Sequence, residues 1–289
     1  MIVKKYPDGG SYVINDQNET HLTYRINSYE DLFLLKSIKD ANPKLKAITI
    51  PCMFQQQHDR RFNQNESFEL KLVCDFINSC GFEYVQVFHP HSDVTPALLN
   101  NCKVIDNYRF ILDCLWDIKR TDKTTYPDIL DDEFDKTHDD LNYDSRIKEN
   151  LILMSSDAGG FKPMMKLCKQ LNWQGETYSA SKAREKDKLI QVIDRTDFQG
   201  KDILIIDDIC VYGGTFIGLA KMLKEKNVGK LYLAISHITV EKPNPDLWQH
   251  FDKVFTTNSK GIEYFDYNDY TPKNLEIITL FLNYEVSRS

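Results

Sequence analysis

The sequence contains no apolar run that approaches the length of a membrane span, and its first nine residues lack the apolar core of a secretory signal peptide. Low-complexity tracts and repeats of fixed period are absent as well. With 42% hydrophobic residues among 289, the chain can bury a full core. We therefore expect a soluble cytoplasmic protein of two domains, and neither a membrane protein nor a disordered tail.

Cysteines number seven, and no two of them form a Cys-x-x-Cys pair. An odd count in mostly apolar surroundings favours buried, reduced thiols over disulfides or a zinc site. The sequence also lacks Gly-x-x-x-x-Gly-Lys-Ser/Thr, which excludes a P-loop as the means of holding a nucleotide.

Acidic residues outnumber basic ones: the chain has 43 aspartates and glutamates and 36 lysines and arginines, which gives a formal net charge of -7. Most of this excess lies between Thr121 and Arg146, where nine acids and three bases give a net charge of -6. Such a stretch is typical of a solvated insertion. We place the domain junction there and predict an N-terminal domain, 1–146, with an acidic insertion at about 121–146, and a C-terminal domain, 147–289. Without a clustered basic face, no nucleic-acid partner is expected.

Strand and helix signals alternate along the chain, which predicts an α/β fold with mostly parallel sheets flanked by helices. Ser28 followed by Asp31 resembles a capping box, and the helix that it begins should end before Pro43. In the first half we predict strands at 11–14, 21–26, 47–50 and 84–88 and a second helix at 67–80. In the second half we predict strands at 151–154, 176–180, 203–206, 231–236, 254–257 and 277–280, and helices at 161–171 and 216–226.

The most informative segment runs from Ile203 to Thr215. Its four apolar residues suit a strand of a parallel sheet, so Asp207 and Asp208 fall at the strand's carboxyl end, where such sheets bind ligands. These carboxylates can accept hydrogen bonds from sugar hydroxyls. The Gly213-Gly214 that follows lets backbone N–H groups approach an anion, and the next helix directs its positive end at the same place. Each half alone also suits a helix cap or a tight turn, but together they predict a site for a phosphorylated ribose.

Three other segments carry groups for phosphate chemistry, each with an ordinary alternative. Asp157, followed by glycines at a strand end, can hold Mg²⁺ or merely cap a turn. His89 and His91 follow the corresponding strand of the first half, where a histidine is a metal ligand or a turn residue with equal weight. Lys182 and Arg184, two residues apart in an extended segment, can meet phosphate oxygens or belong to an ordinary charged loop.

The segment from Ile203 to Thr215 resembles the phosphoribosyl pyrophosphate binding motif of the type I phosphoribosyltransferase superfamily. Taken with the other segments in this order, the chain resembles the ribose-phosphate diphosphokinases, or phosphoribosyl pyrophosphate synthetases, over nearly its whole length. The segments that carry this resemblance are Tyr6-Pro7-Asp8-Gly9, Ile50-Pro51-Cys52 leading to Asp59-Arg60-Arg61, Lys71-Leu72-Val73, His91, Ser156-Asp157-Ala158-Gly159-Gly160, Lys182-Ala183-Arg184 and Ser236-His237.

The resemblance implies transfer of the β,γ-pyrophosphoryl group of ATP to the anomeric hydroxyl of a ribose 5-phosphoryl acceptor, with AMP released and Mg²⁺ as cofactor. It also implies a homo-oligomer whose active sites are shared between subunits. The roles that it implies are ATP binding by Tyr6, Asp8, Gln57, His58, Asp59, Arg60 and Arg61, metal binding by His91 and Asp157, catalysis by Lys182 and Arg184, and ribose and phosphate binding by Asp207, Asp208, Val211, Tyr212, Gly213, Gly214 and Thr215.

Departures from the family bear on both substrates. Gln57-His58-Asp59 stands where the family has Arg-Gln-Asp, and His89 stands where it has an aspartate. In the phosphate loop, Val211-Tyr212 replaces Asp-Thr, which removes a hydroxyl donor and adds a bulky aromatic ring where the family holds a terminal 5-phosphate. We therefore expect a 5-substituted acceptor, with ADP-ribose first, as in the relatives that make ADP-ribose pyrophosphate for NAD synthesis or salvage.

Other interpretations stay open. If Tyr212 only packs on a neighbouring residue, ribose 5-phosphate is the acceptor. A second class of function is a catalytically silent, regulatory relative, which Gln57 and His89 favour and the retained Lys182 and Arg184 oppose. A third is a base phosphoribosyltransferase, which would explain the acid pair and phosphate loop but not the ATP-like loop.

Overall fold

The structure is a computed structural model that describes residues 2–14, 18–121, 145–185, 188–261, 272–281 and 287–288. For residues 182–185 and 188–191 it describes the backbone alone. The predicted acidic insertion at about 121–146 lies almost wholly outside the described residues. None of the helices within these ranges is both long and apolar enough to cross a membrane. All seven cysteines are free thiols and six are buried, as the sequence predicts.

The chain divides into two compact units, each assembled from more than one segment. Unit 1 comprises Met1–Asp106, Asn258–Gly261 and Thr279–Ser289, and unit 2 comprises Asn107–Thr257 and Ile262–Ile278. The folding of residues 1–146 and 147–289 as separate domains stays a prediction.

Unit 1 is built around a four-stranded parallel sheet flanked by helices. Its elements are β1 (Ile2–Lys5), β2 (Ser11–Ile14), β3 (His21–Thr23), α1 (Tyr29–Ala41), β4 (Ala47–Ile50), α2 (Glu69–Ser79), β5 (Tyr84–Phe88), α3 (Val94–Leu98) and β6 (Cys102–Ile105). The parallel sheet has the order β3-β4-β5-β6. A smaller sheet pairs β1 with β2 in antiparallel and with a short strand, Ser287–Arg288, in parallel.

Unit 2 is built around a six-stranded sheet in which every pairing is parallel. Its elements are α4 (Tyr108–Thr121), α5 (Ser145–Asn150), β7 (Leu151–Ser155), α6 (Ala158–Gln170), β8 (Thr177–Ser179), β9 (Ser181–Glu185), β10 (Lys188–Val192), β11 (Asp202–Cys210), α7 (Gly214–Lys224), β12 (Leu231–Ile238), α8 (Asp246–His250), β13 (Lys253–Thr257) and β14 (Leu275–Ile278). The sheet order is β14-β13-β12-β11-β7-β8, and β9 with β10 forms a separate hairpin. The predicted α/β class with parallel sheets is confirmed in both units.

Local sequence explains where α1 begins. The Ser28 hydroxyl oxygen accepts the backbone N–H of Asp31 at 3.1 Å, and the Asp31 carboxylate accepts the backbone N–H of Asn27 at 3.0 Å. These bonds satisfy donors at the helix N-terminus that have no partner within the helix. Ser28 therefore caps the helix as predicted, although Asp31 accepts the N–H of Asn27 and not that of Ser28 as in a strict capping box. The helix ends at Ala41, before Pro43, as predicted.

The strand that carries the acid pair is longer than predicted. β11 has nine residues, of which the first five are fully buried between β7 and β12. Because its parallel neighbour β12 also extends to Ile238, pairing continues past the acids to Cys210. Asp207 and Asp208 therefore lie within the carboxyl-terminal part of the strand and do not follow its end.

Sequence patterns missed or shifted several other elements. α6 begins at Ala158, three residues earlier than predicted, because Asp157 caps it. No element was predicted between the strand at 84–88 and the acidic insertion, but α4 lies there, with the buried residues Phe110, Ile111, Leu112, Cys114, Leu115 and Ile118. That spacing is helical, so the signal for α4 was present in the sequence. β14 lies two residues earlier than predicted, and β1, β6 and the β9–β10 hairpin were not predicted.

Candidate active site

The acid pair of unit 2 is held by the neighbouring strand end. β7 pairs with β11 in a register that sets Ser155 beside Ile206, and Ser156 follows. The Ser156 hydroxyl donates to the Asp207 carboxylate, and the backbone N–H of Asp208 donates to the other Asp207 oxygen at 2.9 Å. As whole residues, Asp207 and Asp208 are half-buried. Ser156 is completely buried, and no sequence pattern had assigned it this role.

Electrostatics at this pair favour a shared proton. Burial raises the pKa of the Asp207 carboxyl far above its ordinary value, and the neighbouring charge of Asp208 raises it further. The hydrogen bond from Ser156 acts in the opposite direction but is weaker. Two carboxylates this close resist being ionised together, so a cation or several hydroxyl donors would stabilise the ionised pair. Strongly shifted carboxyl pKa values of this kind cluster at functional sites.

The phosphate loop, residues 211–215, follows β11 as predicted, but α7 spans Gly214–Lys224 and not the predicted 216–226, so the last two residues of the loop belong to the first turn of the helix. Gly213 has φ +84°, in the left-handed region that favours glycine, and it is the N-cap of α7. A Cβ atom at Gly213 would lie 3.1 Å from a methyl carbon of Leu247. No side chain caps α7, and Gly214 and Thr215 are exposed. The first N–H groups of this 11-residue helix can therefore meet an anion, with the helix dipole favouring negative charge.

A second segment, residues 239–244, braces the phosphate loop. The backbone N–H of Thr239 donates to the Cys210 carbonyl at 2.9 Å, and the backbone N–H of Asn244 donates to the Tyr212 carbonyl at 3.1 Å. Both bonds fix the backbone of the loop and leave the side chain of Tyr212 unconstrained. That side chain is 67% exposed. The brace connects elements far apart in sequence, so only the fold reveals it.

Asp157 has the ordinary role that the sequence left open. Its carboxylate accepts the backbone N–H of Gly160 at 3.1 Å and so caps α6. Its carbonyl accepts hydrogen bonds from the hydroxyls of Ser155 and Ser179 at 3.0 and 3.1 Å. The side chain is half-buried, and metal binding by it stays a prediction.

Lys182 and Arg184 both lie in β9. In the hairpin, Lys182 stands opposite Gln191 and Arg184 opposite Leu189. The extended backbone predicted for the two cations is therefore present. β9 follows β8, the edge strand of the six-stranded sheet, after one residue.

The predicted nucleotide loop of unit 1, residues 57–61, is largely exposed. The side chains of Gln57, His58, Arg60 and Arg61 face solvent, and Asp59 is half-buried. The Arg60 guanidinium lies 3.6 Å from the Asp59 carboxylate and 5.3 Å from the ring centroid of Phe62. The two basic side chains thus remain accessible to phosphate groups.

Other predicted residues of unit 1 lie on turns. His91 is exposed beyond β5, and its backbone N–H donates to the side-chain oxygen of Gln56 at 3.0 Å. Tyr6 and Asp8 lie in the turn between β1 and β2, where the ring of Tyr6 stacks on that of Tyr12 at 5.2 Å. Asp8 accepts the backbone N–H of Gly10 at 3.0 Å. Unit 1 thus brings the nucleotide loop and the His91 loop together, and unit 2 brings together the acid pair and the phosphate loop.

A magnesium site built from protein side chains alone is not found. Within the described ranges, no three His, Cys, Asp or Glu side chains cluster closely enough to hold a metal ion. Mg²⁺ usually binds one or two carboxylates and takes its other ligands from water and phosphate oxygens. A carboxylate such as that of Asp157 is a ligand of this kind, whereas the imidazole of His91 suits Mg²⁺ less well.

Unit 2 thus combines an all-parallel sheet, an acid pair on one of its central strands and a glycine-lined loop at a helix N-terminus. No family model matches the chain. A ribose-phosphate pyrophosphokinase of Methanobrevibacter smithii is 25% identical over 242 residues, covering 77% of this chain and 72% of the relative. Another, of Sulfurisphaera tokodaii, is 22% identical over 246 residues, covering 81% of this chain and 75% of the relative.

A solved structure shares the fold. The crystal structure of phosphoribosylpyrophosphate synthetase from Mycobacterium smegmatis covers 96% of this chain and 85% of its own, with a TM-score of 0.68 and 16% identity. At that identity the likeness shows the fold alone. Sequence and fold similarity together support the ribose-phosphate pyrophosphokinase family, and the prediction of a transferase of this type is confirmed. The roles of the individual residues stay predictions.

Proposed function

We propose that the protein transfers the β,γ-pyrophosphoryl group of ATP to the anomeric hydroxyl of ADP-ribose, releasing AMP. The reaction type follows from the relatives, whose name is ribose-phosphate pyrophosphokinase. The choice of acceptor follows from the phosphate loop. The observation that carries it is the 67% exposure of Tyr212.

The ribose end of the acceptor binds in unit 2. Asp207 and Asp208 accept hydrogen bonds from the ribose hydroxyls, and the N–H groups at the start of α7 bind the adjacent phosphate. A ring as exposed as that of Tyr212 is not satisfied by packing within its unit. Stacking of a base on an aromatic side chain contributes about 1–3 kcal/mol, which favours an acceptor that carries an adenine. Ribose 5-phosphate offers the ring nothing to stack on.

The donor binds to side chains of the nucleotide loop. Arg60 and Arg61 are exposed cations suited to the phosphates of ATP, and the exposed ring of Tyr6 suits its adenine. Mg²⁺, when bound, neutralises charge on the phosphate oxygens. Lys182 and Arg184 stabilise the charge that grows on the transferred group, and no strong general base is needed if the transition state is loose.

Assembly into a homo-oligomer with shared active sites is part of the proposal. Tyr6 and Asp8 lie in a hairpin turn at the edge of the small sheet, with the Tyr6 side chain 56% exposed. In the oligomer this turn contacts the adenine bound by a neighbouring subunit. Light scattering with and without ATP measures the size of the assembly, and a monomer under both conditions contradicts this part of the proposal.

A turnover assay with both sugars tests the acceptor. ATP and millimolar Mg²⁺ are supplied with either ADP-ribose or ribose 5-phosphate, and AMP release is followed. We expect efficient AMP release with ADP-ribose. Efficient use of ribose 5-phosphate with none of ADP-ribose would overturn the proposed acceptor. AMP release with neither sugar would indicate a silent relative, and nucleobase-dependent pyrophosphate release would indicate a base phosphoribosyltransferase.

A further inference from the structure

The side chain of Gln56 differs from those around it. It is only 3% exposed, whereas Gln57 and His58, which follow it, are exposed. A buried side-chain amide must find partners for its oxygen and its nitrogen, because an unpaired polar group in the interior is costly. Gln56 is thus the inward-facing member of an outward-facing loop.

Both ends of the Gln56 amide have partners in unit 1. Its oxygen accepts the backbone N–H of His91 at 3.0 Å, and its nitrogen donates to the sulfur of Cys52 at 3.5 Å. The first bond fixes the orientation of the amide, because a backbone N–H can only be met by the oxygen. It connects the loop after β4 to the loop after β5, which are separated by 35 residues in sequence.

The backbone on either side of this bond is unusual. Gln55 has φ +60° and His89 has φ +36°, both in the left-handed region that non-glycine residues rarely adopt. Such conformations persist where surrounding contacts determine them, and they cluster at functional sites. They lie in the loops that follow the adjacent parallel strands β4 and β5, one residue before Gln56 and two residues before His91.

A second set of bonds ties the outer part of the same loop to α2. The backbone N–H of His58 donates to the Gln55 carbonyl at 3.0 Å, and the His58 carbonyl accepts the N–H of Leu70 at 3.4 Å. The loop is therefore attached to α2 on one side and, through Gln56, to the His91 loop on the other. Gln57, Arg60 and Arg61 project from a backbone fixed at both places.

We propose that Gln56 is a positioning residue that holds the nucleotide loop and the His91 loop in one arrangement, so that their exposed side chains meet ATP together. This inference rests on the proposed function, because it takes residues 57–61 as the ATP site and His91 as the predicted ligand of the Mg²⁺ that accompanies ATP. Gln56 itself does not touch the nucleotide. Its contribution is to lower the entropy that the two loops lose when ATP binds.

The test compares two substitutions of the same kind in unit 1. Gln56→Leu keeps the approximate size and removes the acceptor for His91. Gln86→Leu is the matched control, because the Gln86 oxygen accepts the Thr49 hydroxyl at 2.9 Å within the sheet and bonds to neither loop. Gln56→Glu is the conservative variant, because a carboxylate can still accept the His91 N–H.

Gln56→Leu should raise the KM for ATP about 3- to 30-fold, a range typical of losing one buried hydrogen bond, and leave the KM for the acceptor within about twofold. Hydrogen exchange of the His91 amide should become faster. Gln86→Leu should change neither value, and Gln56→Glu should recover most of the ATP affinity.

If Gln56→Leu leaves the KM for ATP and the hydrogen exchange of the His91 amide unchanged, the inference is overturned. Equal changes in both KM values, matched by Gln86→Leu, would also overturn it.

Calorimetric titration with ATP and Mg²⁺ separates this inference from the proposed function. If the wild-type protein binds ATP but releases no AMP with either sugar, the proposed reaction is wrong. The affinity of the Gln56→Leu variant for ATP then still decides the role of Gln56. If the wild-type protein binds no ATP, both proposals are overturned.

Discussion

The proposed acceptor site of unit 2 and the proposed nucleotide loop of unit 1 are built in different ways. In unit 2, β11 and the start of α7 present backbone groups and two half-buried acids from regular elements. In unit 1, the predicted ligands are exposed side chains on an irregular loop fixed by a few hydrogen bonds. The first site is already arranged by the sheet, and the second depends on local contacts that single substitutions can remove.

This difference suggests how each site can change. A phosphate site formed by backbone N–H groups, here called backbone-built, tolerates few substitutions. Its geometry depends on Gly213 in the left-handed region and on the Leu247 side chain, which leaves no room for a Cβ atom there. A side-chain-built site can lose or gain a cation without disturbing the fold. The departures at Gln57 and His58 fit the second kind. In the proposed function, Tyr212 changes which acceptor the first kind selects while the backbone of the loop is kept.

Removing Lys182 should have the largest effect, and it separates the chemical step from both binding sites. Lys182→Ala should lower kcat about 10²- to 10³-fold, as expected for loss of a charge that stabilises the transition state. The KM values for ATP and acceptor should change little. Steady-state kinetics checks this, and Lys188→Ala in the paired strand is the control. A large rise in either KM with unchanged kcat would place Lys182 in binding instead.

Substituting Gly213 tests the backbone-built site. Gly213→Ala should destabilise the protein by about 1–3 kcal/mol and weaken acceptor binding, because alanine is strained at φ +84° and its Cβ would press on Leu247. Gly214→Ala is the matched control, since no atom lies within 4 Å of a Cβ there. Denaturant unfolding measures both variants, and equal stability of the two would contradict the assignment.

The acid pair should make stability depend on pH. Burial and Asp208 raise the pKa of Asp207 from 3.8 to about 8, so the folded state keeps a proton that the unfolded chain releases. The free energy of unfolding should therefore fall as pH rises from about 4 to about 8. Asp207→Asn removes this loss and should stabilise the protein by about 1–3 kcal/mol at pH 8 and little at pH 4. Parallel pH dependence of the two proteins, followed by urea unfolding, would refute this.

Tyr212 tests what the backbone-built site selects. Tyr212→Ala should raise the KM for ADP-ribose about 10-fold, as expected for loss of one stacking contact. The KM for ribose 5-phosphate should stay the same or fall. Tyr212→Phe is the control that keeps the ring. An equal loss with both sugars would mean that the side chain supports the loop and does not choose the acceptor.

Gln57 should give the smallest effect, as expected at a side-chain-built site. Gln57→Arg restores a cation that the family has there and should lower the KM for ATP about two- to fivefold, since exposed charge pairs contribute less than about 1 kcal/mol. The gain should shrink at high ionic strength. Gln57→Lys and Gln57→Met distinguish charge from size. A salt-independent effect would point to packing instead.

The sequence predicted the parts of the protein that depend on local pattern. The α/β class, the start of α1 and the phosphate loop all follow from capping residues, apolar runs and glycines that act within a few residues. The extension of β11 to Cys210 could not be predicted in this way, because it depends on pairing with β12. Neither the hydrogen bond from Ser156 to Asp207 nor that from His91 to Gln56 had a sequence signal, because each joins segments that are far apart in the chain.

The acid pair has a consequence for the proposed binding of the acceptor. Sugar hydroxyls that donate to Asp207 and Asp208 would favour the doubly ionised pair, whereas burial and the neighbouring charge raise the pKa of Asp207 and so favour keeping one proton. If the sugar binds there as proposed, its binding would release one proton to the solvent. Affinity for the sugar should then rise with pH, so that an acidified cell would slow the reaction at its first encounter with the acceptor.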